Sequence, residues 1–100
     1  MIRLPFDQAA LAQLCRRCGI RRLSLFGSVL KGTDRPDSDV DLLVEFEPDA
    51  KPSFFDLADI EQELSALLAG KRVDLRTAPE LSRYFRDQVL REAEVQYESR

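Results

Sequence analysis

Gly27-Ser28-Val29-Leu30-Lys31-Gly32-Thr33-Asp34-Arg35-Pro36-Asp37-Ser38-Asp39-Val40-Asp41-Leu42-Leu43-Val44 is the most informative stretch of this 100-residue chain. Asp39 and Asp41 sit at i and i+2 where an apolar run begins. Side chains alternate along a strand and each residue advances about 3.3 Å, so two such carboxylates share a face roughly 6.6 Å apart at the backbone. That spacing lets carboxylates clamp divalent ions, which in two-metal sites lie about 3.5–4 Å apart. Upstream, Gly27-Ser28 closes a second apolar stretch containing Leu23, Leu25 and Phe26. A glycine-serine pair there suits a strand-to-helix turn that offers free backbone N–H groups to phosphate. A phosphate cradle followed by paired carboxylates outlines a site for phosphoryl or nucleotidyl transfer.

Rival motifs that use similar residues fit less well. Gly27 and Gly32 have Walker A spacing, but Thr33 stands where that loop needs its lysine. Asp37-x-Asp39-x-Asp41 begins like an EF-hand loop, then places Leu42 at the glycine position and Pro48 at the bidentate glutamate position. A glycosidase also needs two carboxylates, yet it would leave Gly27-Ser28 unexplained. In phosphatases of the haloacid dehalogenase type the apolar strand precedes Asp-x-Asp, whereas here it follows. As solvated strand-edge acids, Asp39 and Asp41 would repel on one face without compensation; a bound metal reverses that cost.

Gly27-Ser28, Gly32, Arg35 and Ser38-Asp39-x-Asp41 together resemble the signature of the minimal nucleotidyltransferases. These are small members of the DNA polymerase beta superfamily, many of which work as antitoxins beside a HEPN-type toxin. The resemblance covers most of the chain, from the strand at Leu23 to the terminal helix. It implies a third carboxylate on a later strand, and Asp74 in Lys71-Arg72-Val73-Asp74-Leu75 has that context. It further implies Mg²⁺ in a two-metal site held by Asp39, Asp41 and Asp74, and ATP as substrate. Gly27, Ser28, Lys31, Arg35 and Ser38 would bind the nucleotide. Lys31 stands where the family more often carries arginine, which keeps the charge but loses the bidentate fork. Read without the family, Lys31 and Arg35 serve equally as solvated charges, and Asp74 as a surface acid paired with its flanking arginines, Arg72 and Arg76.

Composition narrows the field. Hydrophobic residues make up 44% and charged residues 33%, as in a folded globular protein, and the length suits one domain spanning residues 1–100. A net charge of −3 argues against direct nucleic-acid binding, which favours a basic face. No apolar run approaches the roughly 20 residues of a membrane span, and Met-Ile-Arg-Leu-Pro-Phe-Asp lacks a secretory core, so no membrane role and a cytoplasmic location are expected. The chain has no histidine, which excludes Ser-His-Asp and Cys-His catalysis and histidine-based zinc sites. Cys15 and Cys18 are the only cysteines, two short of a structural zinc site. They fall near the end of a predicted helix rather than at its start, and read as packing residues.

Asp7 is a predicted N-cap for a helix reaching Cys18, with Gly19 as its stop. Arg21–Phe26 reads as a strand, Ser28–Lys31 as a short helical turn and Gly32–Ser38 as a loop. Asp39–Phe46 follows as a strand. Ser53 and Asp56 form an acidic capping box for a helix that carries Leu57, Ile60, Leu64, Leu67 and Leu68 and stops at Gly70. Arg72–Arg76 is a strand with Val73 and Leu75 on one face and Asp74 on the other. Pro79 opens a final helix with Tyr84, Phe85, Val89 and Leu90 as its core face. The fold expected is α+β, with a small mixed sheet under helices, as the polymerase-beta resemblance also implies.

Three functions fit these expectations. The first is transfer of AMP from ATP to a hydroxyl, a tyrosine of a HEPN-type toxin by the resemblance. The second is a non-catalytic antitoxin that occludes its partner. The third is a nucleotide or metal sensor without transfer activity. The first leads, because the Gly-Ser pair and all three carboxylates are present.

Overall fold

The computed structural model describes residues 6–27, 39–77, 79 and 86–99. Helix α1, Gln8–Cys18, starts where the Asp7 carboxylate accepts the N–H groups of Ala9 and Ala10 at 3.0 and 3.3 Å. It ends at Gly19, whose φ of 71° is the left-handed cap conformation. Strand β1, Ile20–Phe26, follows at once. Strand β2 covers Val40–Phe46. Helix α2, Phe54–Leu67, opens on the expected capping box: the Asp56 N–H donates to Ser53 Oγ at 3.2 Å and the Ser53 N–H to Asp56 Oδ2 at 2.8 Å. Strand β3 is Val73–Thr77, helix α3 is Arg86–Glu92 and strand β4 is Glu94–Glu98.

The four strands form one sheet in the order β3-β2-β1-β4. Strand β1 is antiparallel to both β2 and β4, and β2 is parallel to β3. The parallel pair is joined through α2, as a crossover requires. One face of the sheet carries Leu23, Leu25, Val40, Leu42, Val44 and Val73, all buried. They pack with Leu11, Leu14 and Cys15 of α1 and with Ile60, Leu64 and Leu68 from α2 and its end. This is a small mixed sheet with helices, of the α+β class.

The C-terminal part needs one correction. The helix expected to open at Pro79 as the last element is described over the short α3, and the chain then returns as a further strand, β4. Strand β4 pairs along the otherwise open edge of β1, with Tyr97 opposite Leu23 and Val95 opposite Ser24. The register shifts between those two pairs, so Val95 and Tyr97 do not share a face as simple alternation would make them. Tyr97 packs on the core while Val95 is exposed. Tyr84, Phe85 and the predicted elements at 28–31 and 32–38 lie outside the described residues.

Candidate active site

The face of the sheet away from the core holds the acids. Alternation, with Leu42 and Val44 committed to the core, turns Asp41 to the opposite face. Val73 and Leu75 do the same for Asp74 on β3. In the parallel β2–β3 register Asp41 stands directly beside Asp74, one strand spacing or about 4.8 Å away. Asp39 precedes β2 by one residue and is exposed, yet the chain is already tied to β3 there: the Val40 N–H donates to the Arg72 carbonyl at 2.8 Å.

On its other side, Asp41 is paired with Phe26, the last residue of β1. Gly27 follows with φ of +83°. A Cβ built on Gly27 would collide with the Asp41 carboxylate, coming 2.9 Å from Cγ and closer still to Oδ2. Only glycine admits both this backbone conformation and this approach. The structure therefore seats the turn after β1 against the first acid of the β2–β3 pair, bringing three consecutive strands to one spot.

Asp74 has a charged neighbour on its own strand. Arg76, two residues on and on the same face, donates Nη2 to Asp74 Oδ2 at 3.2 Å and brings Nε within 3.1 Å of Oδ1 as an ion pair. The sequence offered this arginine pairing as an alternative to a ligand role for Asp74; the structure shows the pairing together with the neighbouring Asp41. The edge of β3 is held from α2, where Glu61 Oε2 accepts the Leu75 N–H at 3.0 Å. Nothing in the sequence pattern marked Glu61 for this.

Among the described residues no three acids, thiols or imidazoles are gathered tightly enough to hold a metal ion. The donor set nevertheless suits a hard divalent cation, since Asp39, Asp41 and Asp74 offer only carboxylate oxygens, and two of them occupy adjacent register positions. Gly27 is in place beside them. Ser28, Lys31, Arg35 and Ser38 lie outside the described residues. Cys15 is fully buried on the opposite side of the sheet, and burial pushes its thiol up to about 12, with Cys18 adding to the shift. Both cysteines are free, and Cys15 belongs to the core as expected. No helix among the described residues is long and apolar enough to cross a membrane.

Comparison with known proteins bears on this geometry. A family model described as Nucleotidyltransferase domain matches residues 9–96. The protein adenylyltransferase MntA of Thermococcus cleftensis is 42% identical over 80 residues, covering 80% of this chain and 78% of the relative. A solved structure described as a minimal nucleotidyltransferase is 44% identical, with a TM-score of 0.69 over 86% of this chain and 85% of that one. A tri-AMPylated HEPN toxin of Shewanella oneidensis in complex with an MNT antitoxin gives a match sharing the fold at 19% identity, with a TM-score of 0.62 over 92% and 70% of the two chains. The chain belongs to the nucleotidyltransferase domain family and, within it, to the minimal nucleotidyltransferases.

Proposed function

We propose that this chain transfers AMP from ATP, with Mg²⁺, to a tyrosine hydroxyl of a HEPN-type toxin, and so acts as the antitoxin of a toxin–antitoxin pair. The observation that carries the chemistry is Asp41 beside Asp74 on adjacent parallel strands, with Gly27 turned against Asp41. The acceptor and partner rest on the relatives: one is a protein adenylyltransferase, and a fold neighbour is an AMPylated HEPN toxin bound to an MNT antitoxin.

Asp39, Asp41 and Asp74 would hold the metal, and the Gly27 turn with Ser28 would grip the triphosphate. Lys31, Arg35 and Ser38 complete the nucleotide site in this reading. Bound Mg²⁺ supplies charge neutralisation at the α-phosphate and the pyrophosphate leaving group, and lowers the pKa of the acceptor hydroxyl. The acceptor oxygen forms a bond to the α-phosphorus as the α–β bridging P–O bond breaks and pyrophosphate departs. The hydroxyl proton passes to a carboxylate of the cluster, Asp74 in this reading. In this reading residues 1–100 are a single domain and the acceptor is presented by a second protein, in the cytoplasm.

The test uses ATP labelled at the α-phosphate, with Mg²⁺, the purified chain and a lysate of its source organism. Label should appear on a partner band with the wild-type chain and vanish with Asp39→Asn/Asp41→Asn. Mass spectrometry of that band should find AMP units on tyrosine. A partner captured without label under any condition would instead establish neutralisation by occlusion.

A further inference from the structure

The charge arrangement around Asp74 has a consequence for how the metal enters. Asp41 and Asp74 are like charges at adjacent register positions, an arrangement that destabilises a sheet unless something offsets it. Arg76 supplies that offset. Its guanidinium lies against both oxygens of Asp74, with a hydrogen bond from Nη2 to Oδ2 at 3.2 Å and an ion-pair contact of Nε with Oδ1 at 3.1 Å. The Asp74 side chain is 33% exposed and that of Arg76 49%, so solvent screens the pair in part. Beside Arg76 in the β2 register lies Leu43, which is fully buried.

Building on the reading of Asp74 as a metal-binding carboxylate, we propose that Arg76 is a positioning residue that holds Asp74 in the metal-free site and competes with the metal for it. The guanidinium lies against both Asp74 oxygens, so a cation that takes Asp74 as a ligand must share the carboxylate with it. The guanidinium also adds a positive charge next to the incoming cation. Arg76 therefore keeps the acid pair settled while the site is empty, and holds the affinity for free metal down until nucleotide phosphates add their own negative charge.

The experiment is a titration of the full chain with Mn²⁺ alone, following free Mn²⁺ by electron paramagnetic resonance. Arg76→Ala should bind Mn²⁺ more tightly than wild type, on the order of three- to tenfold, as expected for removing one half-screened charge. Arg76→Lys, which keeps the charge and loses the fork, should fall between the two. Arg76→Gln serves as a second neutral variant should the alanine chain not fold. Asp74→Asn should weaken binding. Unchanged or weaker binding in both neutral variants, with Asp74→Asn still impaired, overturns the role of Arg76 and leaves the metal reading intact. Unchanged binding in Asp74→Asn, or no binding by wild type and by both neutral variants, overturns both.

Discussion

At the scale of single residues, Gly27 and Gly70 form a natural experiment. Both have φ of +83°, but a Cβ on Gly70 meets nothing within 4 Å, whereas one on Gly27 runs into Asp41. Gly70→Ala should cost only the left-handed backbone penalty, about 1 kcal/mol. Gly27→Ala adds a steric conflict with the site acid, so about 1–3 kcal/mol and loss of nucleotide transfer are expected. Urea melts of the two variants, read beside the labelled-ATP assay, separate backbone strain from site damage. Equal stability losses with activity kept in both would show that the Gly27–Asp41 approach does not matter. Asp39, Asp41, Asp74 and Gly27 were all legible from spacing and family resemblance. The contact between Gly27 and Asp41 was not, because it depends on how β1 and β2 register across the 13 residues between them. The Arg76 fork was visible only as one of two flanking charges, since sequence gives position on a strand but not the rotamer chosen there.

Cys15 adds a pH dependence with a definite sign. Its folded-state thiol is pushed up to about 12 by burial, against about 8.5 in an unfolded chain. Between those values the unfolded chain gives up its proton while the folded chain keeps it, so the unfolded state binds fewer protons and stability falls as pH rises. The full contribution is present below about pH 8.5 and fades toward pH 12. Melting curves between pH 8 and 11 should show wild type losing stability faster than Cys15→Val, which has no thiol there to ionise. Parallel curves would mean that Cys15 is not shielded in solution.

At the scale of elements, α2 shows where sequence reading works and where it stops. The Ser53–Asp56 box and the Ile60–Leu64–Leu68 stripe are local patterns with period 3.6, and both appear as read. Ser53→Ala should cost about 1 kcal/mol by removing the cap, and Leu64→Ala about 2–5 kcal/mol by opening the core. Phe54 and Phe55 make the useful contrast: they are 82% and 79% exposed and touch edge-to-face at 6.4 Å. Phe55→Ser should therefore leave stability within about 0.5 kcal/mol of wild type, measured by the same urea melts. Strand β4 was missed for the opposite reason. Glu94-Val95-Gln96-Tyr97-Glu98 has only two apolar residues, and the bulge opposite Leu23 and Ser24 turns them to different faces. What makes it a strand is the open edge of β1, a tertiary fact that five residues cannot announce.

At the scale of the molecule, the site is a property of the sheet rather than of any one segment. Gly27 follows β1, Asp41 lies in β2 and Asp74 in β3, and those three strands are consecutive neighbours. A ligand that bridges them fastens the parallel crossover through α2 and the antiparallel β1–β2 pair at the same time. Its binding energy therefore enters global unfolding directly, because a domain of this size unfolds as one unit. At a ligand concentration one hundred times the dissociation constant the stabilisation is about 2.7 kcal/mol, which corresponds to roughly 10–20 °C for a domain of this length. Wild type heated with Mg²⁺ and a non-hydrolysable ATP analogue should show an upward shift of that order at saturation. Asp39→Asn/Asp41→Asn should show almost none. Arg76→Ala should retain the shift, as its role lies in the empty site. Equal shifts in wild type and the aspartate variant would place nucleotide binding elsewhere and leave the β2–β3 acid pair without a ligand.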